Sequence, residues 1–316
     1  MASLAARASR LPLSLIGLPY QFGRRAAPTD YQMARGPEVL LAPSAVPAAL
    51  KEMSTDIDLV FLDDLDDPKT GPNDVRPVLL GDQMIRQLHQ NNALAAAVRA
   101  ARSNGRFPVC FSGCCNSSLG IVGGIDDPNL GMVWFDAHAD DYTPETSPTG
   151  FFDGMPVSII AGECWKRWRE KIQGFHVIPP QRISQVGLHD RSAYAESPGR
   201  RAGVGHLVDP AAVLLFGFEG AFLRTLDQIK ARTDRVYVHV DTDVIDAKIM
   251  RANLYCAEGG VTPEQMIWAV EQIAKTVRIE ALNFASFDAA VDPNAPAILT
   301  KMIQGIVGVI QRSRAS

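Results

Sequence analysis

The chain lacks several features that would place it in a specialised class of protein. It has no uninterrupted apolar run of about 18 residues, so no transmembrane helix and no membrane association are predicted. Its net charge of -4 at pH 7 gives no electrostatic reason to bind nucleic acid. No internal repeat, composition break or linker rich in glycine and serine divides its 316 residues. These absences favour one globular unit.

Cysteine is also scarce. The five cysteines are scattered, and none forms a C-x-x-C pair. Their odd number argues against a disulfide framework and favours a reducing compartment, so we predict a cytoplasmic protein.

The N-terminus has the small residues and arginines of a transit peptide, but little precedes the first strand-like run at about residue 11. We therefore predict a short tail over residues 1–10 and a single domain over residues 11–316. Hydrophobic residues make up 47% of the chain, which is ample for one large core.

Apolar runs alternate along the chain with helical stretches, which is typical of a mostly parallel sheet covered on both faces by helices. The strand-like runs cover residues 12–17, 58–62, 107–112, 131–135, 183–187, 213–217, 236–240 and 280–287. Capping signals and helical spacing predict helices over residues 82–103, 263–275 and 296–314. The predicted fold class is therefore α/β, with about eight strands.

Two acidic clusters lie at the ends of predicted strands. They are Asp136-Ala-His138-Ala-Asp140 and His239-Val-Asp241-Thr-Asp243. Carboxylates buried at strand ends repel one another and lose solvation unless a cation neutralises them. Alternate residues of an extended strand share a face, so Asp241 and Asp243 are expected to point the same way. One such cluster is often only an acidic turn, whereas two together predict a metal site.

These segments resemble motifs of the arginase/ureohydrolase superfamily. Residues 134–162 are similar to its D-A-H-x-D motif and the H-G-x-P that follows, and residues 239–248 to its S-x-D-x-D-x-x-D-P motif. Residues 259–262 resemble its G-G-L-T, and residues 13–23 its first strand and turn. The matches follow the family's order along nearly the whole chain. The resemblance implies the arginase-like fold, a three-layer α/β/α arrangement.

The resemblance also implies two Mn²⁺ ions per chain that share a bridging hydroxide. Asp136 and Asp241 would contact both ions, Asp140 would contact one, and His138 and Asp243 would contact the other. Oxygen ligands and imidazole suit Mn²⁺. Two cations lower the pKa of a shared water, and the resulting hydroxide attacks an sp² carbon that carries nitrogen. Asp140 would also orient that hydroxide.

The chain departs from the family's G-G-D-H-S motif, which supplies a further histidine ligand. The corresponding residues 112–120 read SGCCNSSLG, and Cys115 takes the histidine's position. A thiolate there could bind the first ion and shift its preference toward Zn²⁺ or Fe²⁺. Alternatively, Cys115 is a small buried thiol without a ligand role. His239, two residues before Asp241, could orient a metal ligand or be a structural histidine.

Further departures concern the substrate. Asp153 replaces the H-G-x-P histidine, and it could transfer protons, pair with a cationic substrate group or cap a local helix. Tyr142 and Phe151 replace asparagines that bind the amino-acid end of arginine, so a more apolar outer pocket is expected. Thr149 aligns with a serine that contacts the substrate carboxylate, and Asp190 with an aspartate that contacts the α-amino group.

The guanidinium-binding glutamate of the family is also missing. Ser286 stands at its position, and Asp288 lies two residues further along the same predicted strand face. A guanidinium that loses this carboxylate loses a charge-assisted partner. Either Asp288 substitutes for the glutamate or the substrate is not a plain guanidine.

Together, these patterns predict a ureohydrolase-type amidinohydrolase that cleaves a C–N bond of a guanidino- or amidine-type molecule by a metal-bridging hydroxide. It is not expected to be a plain arginase. The resemblance implies a homo-oligomer, a trimer or hexamer. One alternative is a non-catalytic arginase-like protein that binds one metal or none. Another is a deacetylase-like hydrolase with a single Zn²⁺, which would use a His-His pair that the chain lacks.

Overall fold

The computed structural model describes residues 10–20, 32–51, 53–54, 56–63, 82–190 and 206–315. Its centre is one eight-stranded sheet in the order β2-β1-β3-β8-β7-β4-β5-β6. All neighbouring strands run parallel. The strands are β1 (Leu13–Leu18), β2 (Ile57–Phe61), β3 (Phe107–Ser112), β4 (Gly131–Phe135), β5 (Ile183–Val186), β6 (His206–Val208), β7 (Arg235–Asp241) and β8 (Arg278–Ala285). The predicted α/β class is therefore confirmed.

The described part of the chain contains nine α-helices. They are α1 (Gly36–Leu40), α2 (Val46–Lys51), α3 (Asp82–Ser103), α4 (Ser118–Ile125), α5 (Pro156–Ala161), α6 (Lys166–Arg169), α7 (Pro210–Lys230), α8 (Pro263–Thr276) and α9 (Ala295–Ala315). Helix α8 begins with a capping box in which Thr262 and Gln265 each bond the other's backbone amide. The three predicted helices correspond to α3, α8 and α9. None of the helices within the described residues is long and apolar enough to cross a membrane.

One predicted strand is wrong. Residues 213–217 lie in α7, and the sixth strand is the short β6. The Asp209 side chain caps α7 by accepting a hydrogen bond from the Ala212 amide, and Pro210 opens the helix. These two signals start a helix just before the apolar run, whose Leu214 is 86% exposed. A strand of three residues is too short to give a periodic pattern of its own.

The helices cover both faces of the sheet, which explains why its strands read as continuous apolar runs. Val109 and Phe111 of β3 belong to one apolar cluster, whereas Cys110 between them belongs to the cluster on the other face. The same alternation occurs in β7, where Val238 and Tyr237 face opposite sides. The tail prediction for residues 1–10 falls, apart from Arg10, outside the described residues.

Candidate metal centre

The candidate site lies at the carboxyl ends of β3, β8, β7 and β4, which are neighbours in the sheet. Ligands bind at this edge of parallel sheets because strand ends and the loops after them converge there. A cavity of about 180 Å³ opens at this edge. It is lined by nine of the predicted site residues, namely Cys115, His138, Asp140, Tyr142, Thr149, Asp153, Asp241, Asp243 and Ser286.

Two groups of possible metal ligands meet beneath the cavity, and both contain Asp136. The first group is Cys115, Asp136 and Asp241, and the second is Asp136, His138 and Asp243. Within each group the candidate ligand atoms lie within 4.8 Å of one another. The structure therefore brings five of the six predicted ligands into two adjoining sets, with one carboxylate common to both.

Tight turns, rather than extended strands, create this convergence. Asp136 Oδ1 accepts a hydrogen bond from the His138 amide at 2.7 Å, and Asp241 Oδ1 accepts one from the Asp243 amide at 2.9 Å. Residues Thr242–Val244 form a 3₁₀ turn directly after β7. The expectation that Asp241 and Asp243 share the face of one extended strand is therefore wrong. Each leading aspartate instead caps the turn that carries the next ligand.

The sixth predicted ligand, Asp140, lies apart from the two groups. It is partly buried, lines the cavity and has a φ of 50°, in the left-handed region that aspartate tolerates better than most residues. Its backbone carbonyl accepts a hydrogen bond from the Val157 amide at 2.9 Å, which ties this turn to α5. Its ligand role remains a prediction.

The electrostatics of the site match a cation. Burial raises the pKa of Asp136, Asp140 and Asp241, and neighbouring carboxylates raise each further. Burial alone would lower the pKa of His138, but Asp243, Asp136 and Asp190 raise it well above its usual value. Neither lysine nor arginine occurs among the described residues that line the cavity. Carboxylates, imidazole and a thiol, with no lysine or arginine among the described lining residues, form a donor set suited to divalent metal ions.

A second layer of side chains holds the candidate ligands in place. Trp134 Nε1 donates to Asp136 Oδ2 at 2.9 Å, and Asn253 Nδ2 donates to Asp243 Oδ2 at 3.2 Å. His239 is fully buried, with Nε2 3.3 Å from Cys115 Sγ and its ring stacked on Trp134 at 3.7 Å. Sequence reasoning missed Trp134 and Asn253, because neither stands in a motif with ligand spacing.

Asp153 forms a separate polar feature in the cavity wall. Its Oδ1 accepts hydrogen bonds from the Asn116 backbone amide at 2.9 Å and from Asn116 Nδ2 at 2.8 Å. Burial raises its pKa to about 7, although these hydrogen bonds lower it. A carboxyl group that titrates near neutral pH suits proton transfer. The predicted cap of the helix start near Pro156 is not formed, because α5 begins without a side-chain cap. The backbone amide that Asp153 binds belongs instead to the 3₁₀ turn Cys115–Ser117.

Two residues that were predicted to contact the substrate do not line the cavity. Asp288 is fully buried, and its carboxylate accepts hydrogen bonds from the backbone amides of Gln32 at 2.8 Å and Ala290 at 3.0 Å. It therefore stabilises two backbone segments and does not replace the missing glutamate. Asp190 Oδ2 instead lies 3.2 Å from His138 Nε2, on the far side of that imidazole from the ligand groups.

The remaining predicted substrate residues do line the cavity. Ser286 has a φ of 63°, and its Oγ lies 3.4 Å from Cys115 Sγ. Thr149 Oγ1 accepts a hydrogen bond from the Phe151 amide at 3.2 Å. Tyr142, Pro148, Phe151 and Tyr255 are partly or fully exposed and form the outer wall, whereas Met33 lines the cavity but is buried. This outer wall is largely aromatic and apolar.

The chain is similar to known proteins over most of its length. A sequence model described as "Arginase family" matches residues 15–305. The arginase of Bacillus caldovelox is 27% identical over 292 residues, which are 89% of this chain and 92% of that protein. Its crystal structure superposes with a TM-score of 0.78 at 26% identity, covering 94% of this chain and 98% of that one. The formimidoylglutamase of Bacillus subtilis shares the fold, with a TM-score of 0.65 at 15% identity and coverage of 99% and 90%.

Proposed function

The chain belongs to the arginase family, and we propose that it hydrolyses a C–N bond of a guanidino- or amidine-type small molecule with two divalent cations. The observation that carries the proposal is the position of Asp136, which is common to two adjoining groups of candidate ligands. A carboxylate shared in this way suits a pair of ions held close together. We propose Mn²⁺ as the ion for the group of carboxylates and imidazole.

Different residues of this chain would carry out different parts of the reaction. Two bound cations would act as Lewis acids and lower the pKa of an attacking water. The Asp140 carboxylate would accept a hydrogen bond from that water and orient it. The Asp153 carboxyl, held by Asn116, would carry a proton to the departing nitrogen. Removal of this proton carrier should slow hydrolysis even when both cations are bound.

The substrate proposed here is not plain arginine. A guanidinium bound in the cavity would meet Ser286 where a carboxylate is needed, and Asp288 is occupied by two backbone amides. The outer wall, which includes Tyr142 and Phe151, offers apolar surface to the distal part of the substrate. A modified guanidine, an amidine or a formimino compound with an uncharged distal group matches these surroundings better than an amino acid.

Metal analysis and a substrate series test this proposal together. The purified, undialysed protein is expected to carry about two divalent ions per chain, measured by elemental mass spectrometry. A panel of amidines, N-hydroxyguanidines and formimino compounds should include a substrate with a higher kcat/KM than L-arginine, measured by ammonia or amine release. Protein without metal, even after incubation with Mn²⁺, would contradict the proposal and favour a non-catalytic arginase-like protein.

The assembly state is a separate proposal. The family resemblance implies a homo-oligomer, either a trimer or a hexamer. Light scattering coupled to size-exclusion chromatography would measure it, because the mass of the assembly can be compared with 34.3 kDa for one chain.

A further inference from the structure

The sulfur of Cys115 has three polar neighbours. Its S–H donates to Asp241 Oδ2, with 2.8 Å between sulfur and oxygen, and His239 Nε2 and Ser286 Oγ lie 3.3 Å and 3.4 Å from the sulfur. Cys115 follows β3, whereas the three neighbours come from β7 and from the residue after β8. Three polar neighbours from β7 and from the end of β8 are more than the packing of a small hydrophobic thiol requires.

The hydrogen bonds of His239 determine which of its ring nitrogens carries the proton. Asn283 Nδ2 lies 3.3 Å from His239 Nδ1, and an amide nitrogen can only donate. His239 Nδ1 accepts this hydrogen bond in the tautomer of the neutral ring that carries its proton on Nε2. The Nε2–H group points at the Cys115 sulfur.

The orientation of this imidazole is fixed from several sides. Its ring stacks on Trp134, with centroids 3.7 Å apart and planes inclined by 15°. The hydroxyl groups of Ser118 and Tyr237 each lie 3.0 Å from Nδ1. His239 is in neither group of candidate ligands and lies behind the sulfur. It is therefore placed to support a ligand rather than to act as one.

A fixed N–H donor aimed at sulfur stabilises a thiolate more than a thiol, because charged acceptors form stronger hydrogen bonds. We propose that Cys115 binds one ion as a thiolate, and that His239 is the positioning residue that donates Nε2–H to its sulfur. The thiol proton passes to solvent when the ion binds. This inference rests on the proposed metal-dependent function and assigns different chemistry to the two ion positions.

The consequence is a centre with one soft and one hard position. Sulfur in the group of Cys115, Asp136 and Asp241 favours a thiophilic ion such as Zn²⁺, Co²⁺ or Fe²⁺. Only carboxylate oxygens and imidazole are present in the group of Asp136, His138 and Asp243, which suits Mn²⁺. The protein should therefore accommodate two different ions at once.

Cobalt titration of the metal-free protein tests this assignment by absorption, independently of activity. Thiolate bound to Co²⁺ gives a charge-transfer band in the near ultraviolet. The band should saturate after about one of the two equivalents expected for a binuclear site. Cys115→Ser and Cys115→His should both abolish it, and Cys115→His should also tighten Mn²⁺ binding.

Two substitutions at His239 separate a positioning role from a purely structural one. His239→Phe keeps an aromatic ring on Trp134 but removes the N–H donor, and it should weaken Co²⁺ binding at the thiolate position by about 10–100-fold. His239→Gln retains an N–H near the position of Nε2 and should restore most of that affinity. Because the Cys115→Ser and His239→Gln variants keep polar groups, they report on metal binding even if His239→Phe folds poorly.

The possible outcomes separate this inference from the proposed function. If wild-type protein binds two Co²⁺ ions without a charge-transfer band, Cys115 is not a ligand, and this inference is overturned while the binuclear function stands. If His239→Phe retains both the band and the affinity, the positioning role is overturned. If no Co²⁺ binds at all, the proposed metal-dependent function fails together with the inference.

Discussion

Asp241→Ala is expected to abolish hydrolysis and to release at least one ion per chain. Asp241 lies at the end of β7 within the group that includes Cys115 and Asp136, and it also caps the turn that carries Asp243. Its removal therefore takes one ligand away and loosens another. Removing a residue that only supports a metal ligand can lower activity by up to roughly 100-fold. The loss of kcat/KM in Asp241→Ala should be larger than that. Elemental mass spectrometry and steady-state kinetics on the same preparation would measure both losses.

A matched control is available next to the same strand. Asp234 lies just before β7, with a side chain that is 77% exposed and pairs with Arg235. Asp234→Ala should retain both metal content and activity. Circular dichroism and thermal unfolding would show whether Asp241→Ala still folds. If a folded Asp241→Ala variant retained both ions, Asp241 would not be a ligand.

The sequence predicted much of the fold, because parallel strands covered on both faces read as apolar runs. β3, for example, was predicted over the same residues that the structure assigns to it, 107–112. The error at residues 213–217 has a local cause. Apolar content alone did not distinguish a buried strand from an exposed helix face, whereas Asp209 and Pro210 carried the helix signal.

The sequence also predicted most of the residues that converge in the candidate site, but not the directions of all their side chains. A period of two residues holds only while the chain stays extended, and the chain turns directly after Asp241. Asp288 illustrates the consequence. It was predicted at the cavity, yet its carboxylate reaches the Gln32 amide, a partner far away in the sequence. Such a contact depends on the tertiary fold and leaves no periodic signal.

The residues that contact the candidate ligands from behind, such as His239, were the least predictable part of the site. His239 was ambiguous because a histidine two residues before a ligand could serve either role. The role proposed for it depends on its distance to Cys115, which follows β3, and on the contact with Asn283 of β8. The exchange of a family histidine for Cys115 was visible in the sequence, but its pairing with an imidazole was not.

Asp153→Asn is expected to change both the pH dependence of stability and the rate of hydrolysis. In the folded metal-free protein, burial raises the pKa of Asp153 to about 7, from an ordinary value of 3.8. The folded state therefore binds more protons than the unfolded state between these pH values. Asp153 therefore makes the free energy of unfolding fall as the pH rises between these values. The Asn116 hydrogen bonds can persist, because asparagine also offers a carbonyl oxygen.

Urea denaturation in the presence of a chelator, at pH 5 and at pH 8, would measure this effect. The free energy of unfolding of Asp153→Asn, relative to wild type, should rise by about 3 kcal/mol between the two pH values. Asp234→Asn is the control, since Arg235 lowers the pKa of that exposed carboxyl. A pH-independent difference between Asp153→Asn and wild type would mean that Asp153 has an ordinary pKa.

Kinetics of the same variant distinguish the two roles that remain for Asp153. If its carboxyl carries the proton to the departing nitrogen, kcat should fall by about 10²–10⁴-fold with little change in KM. If it instead anchors a cationic substrate group, KM should rise while kcat changes less. A rise in KM alone would reassign Asp153 to substrate binding.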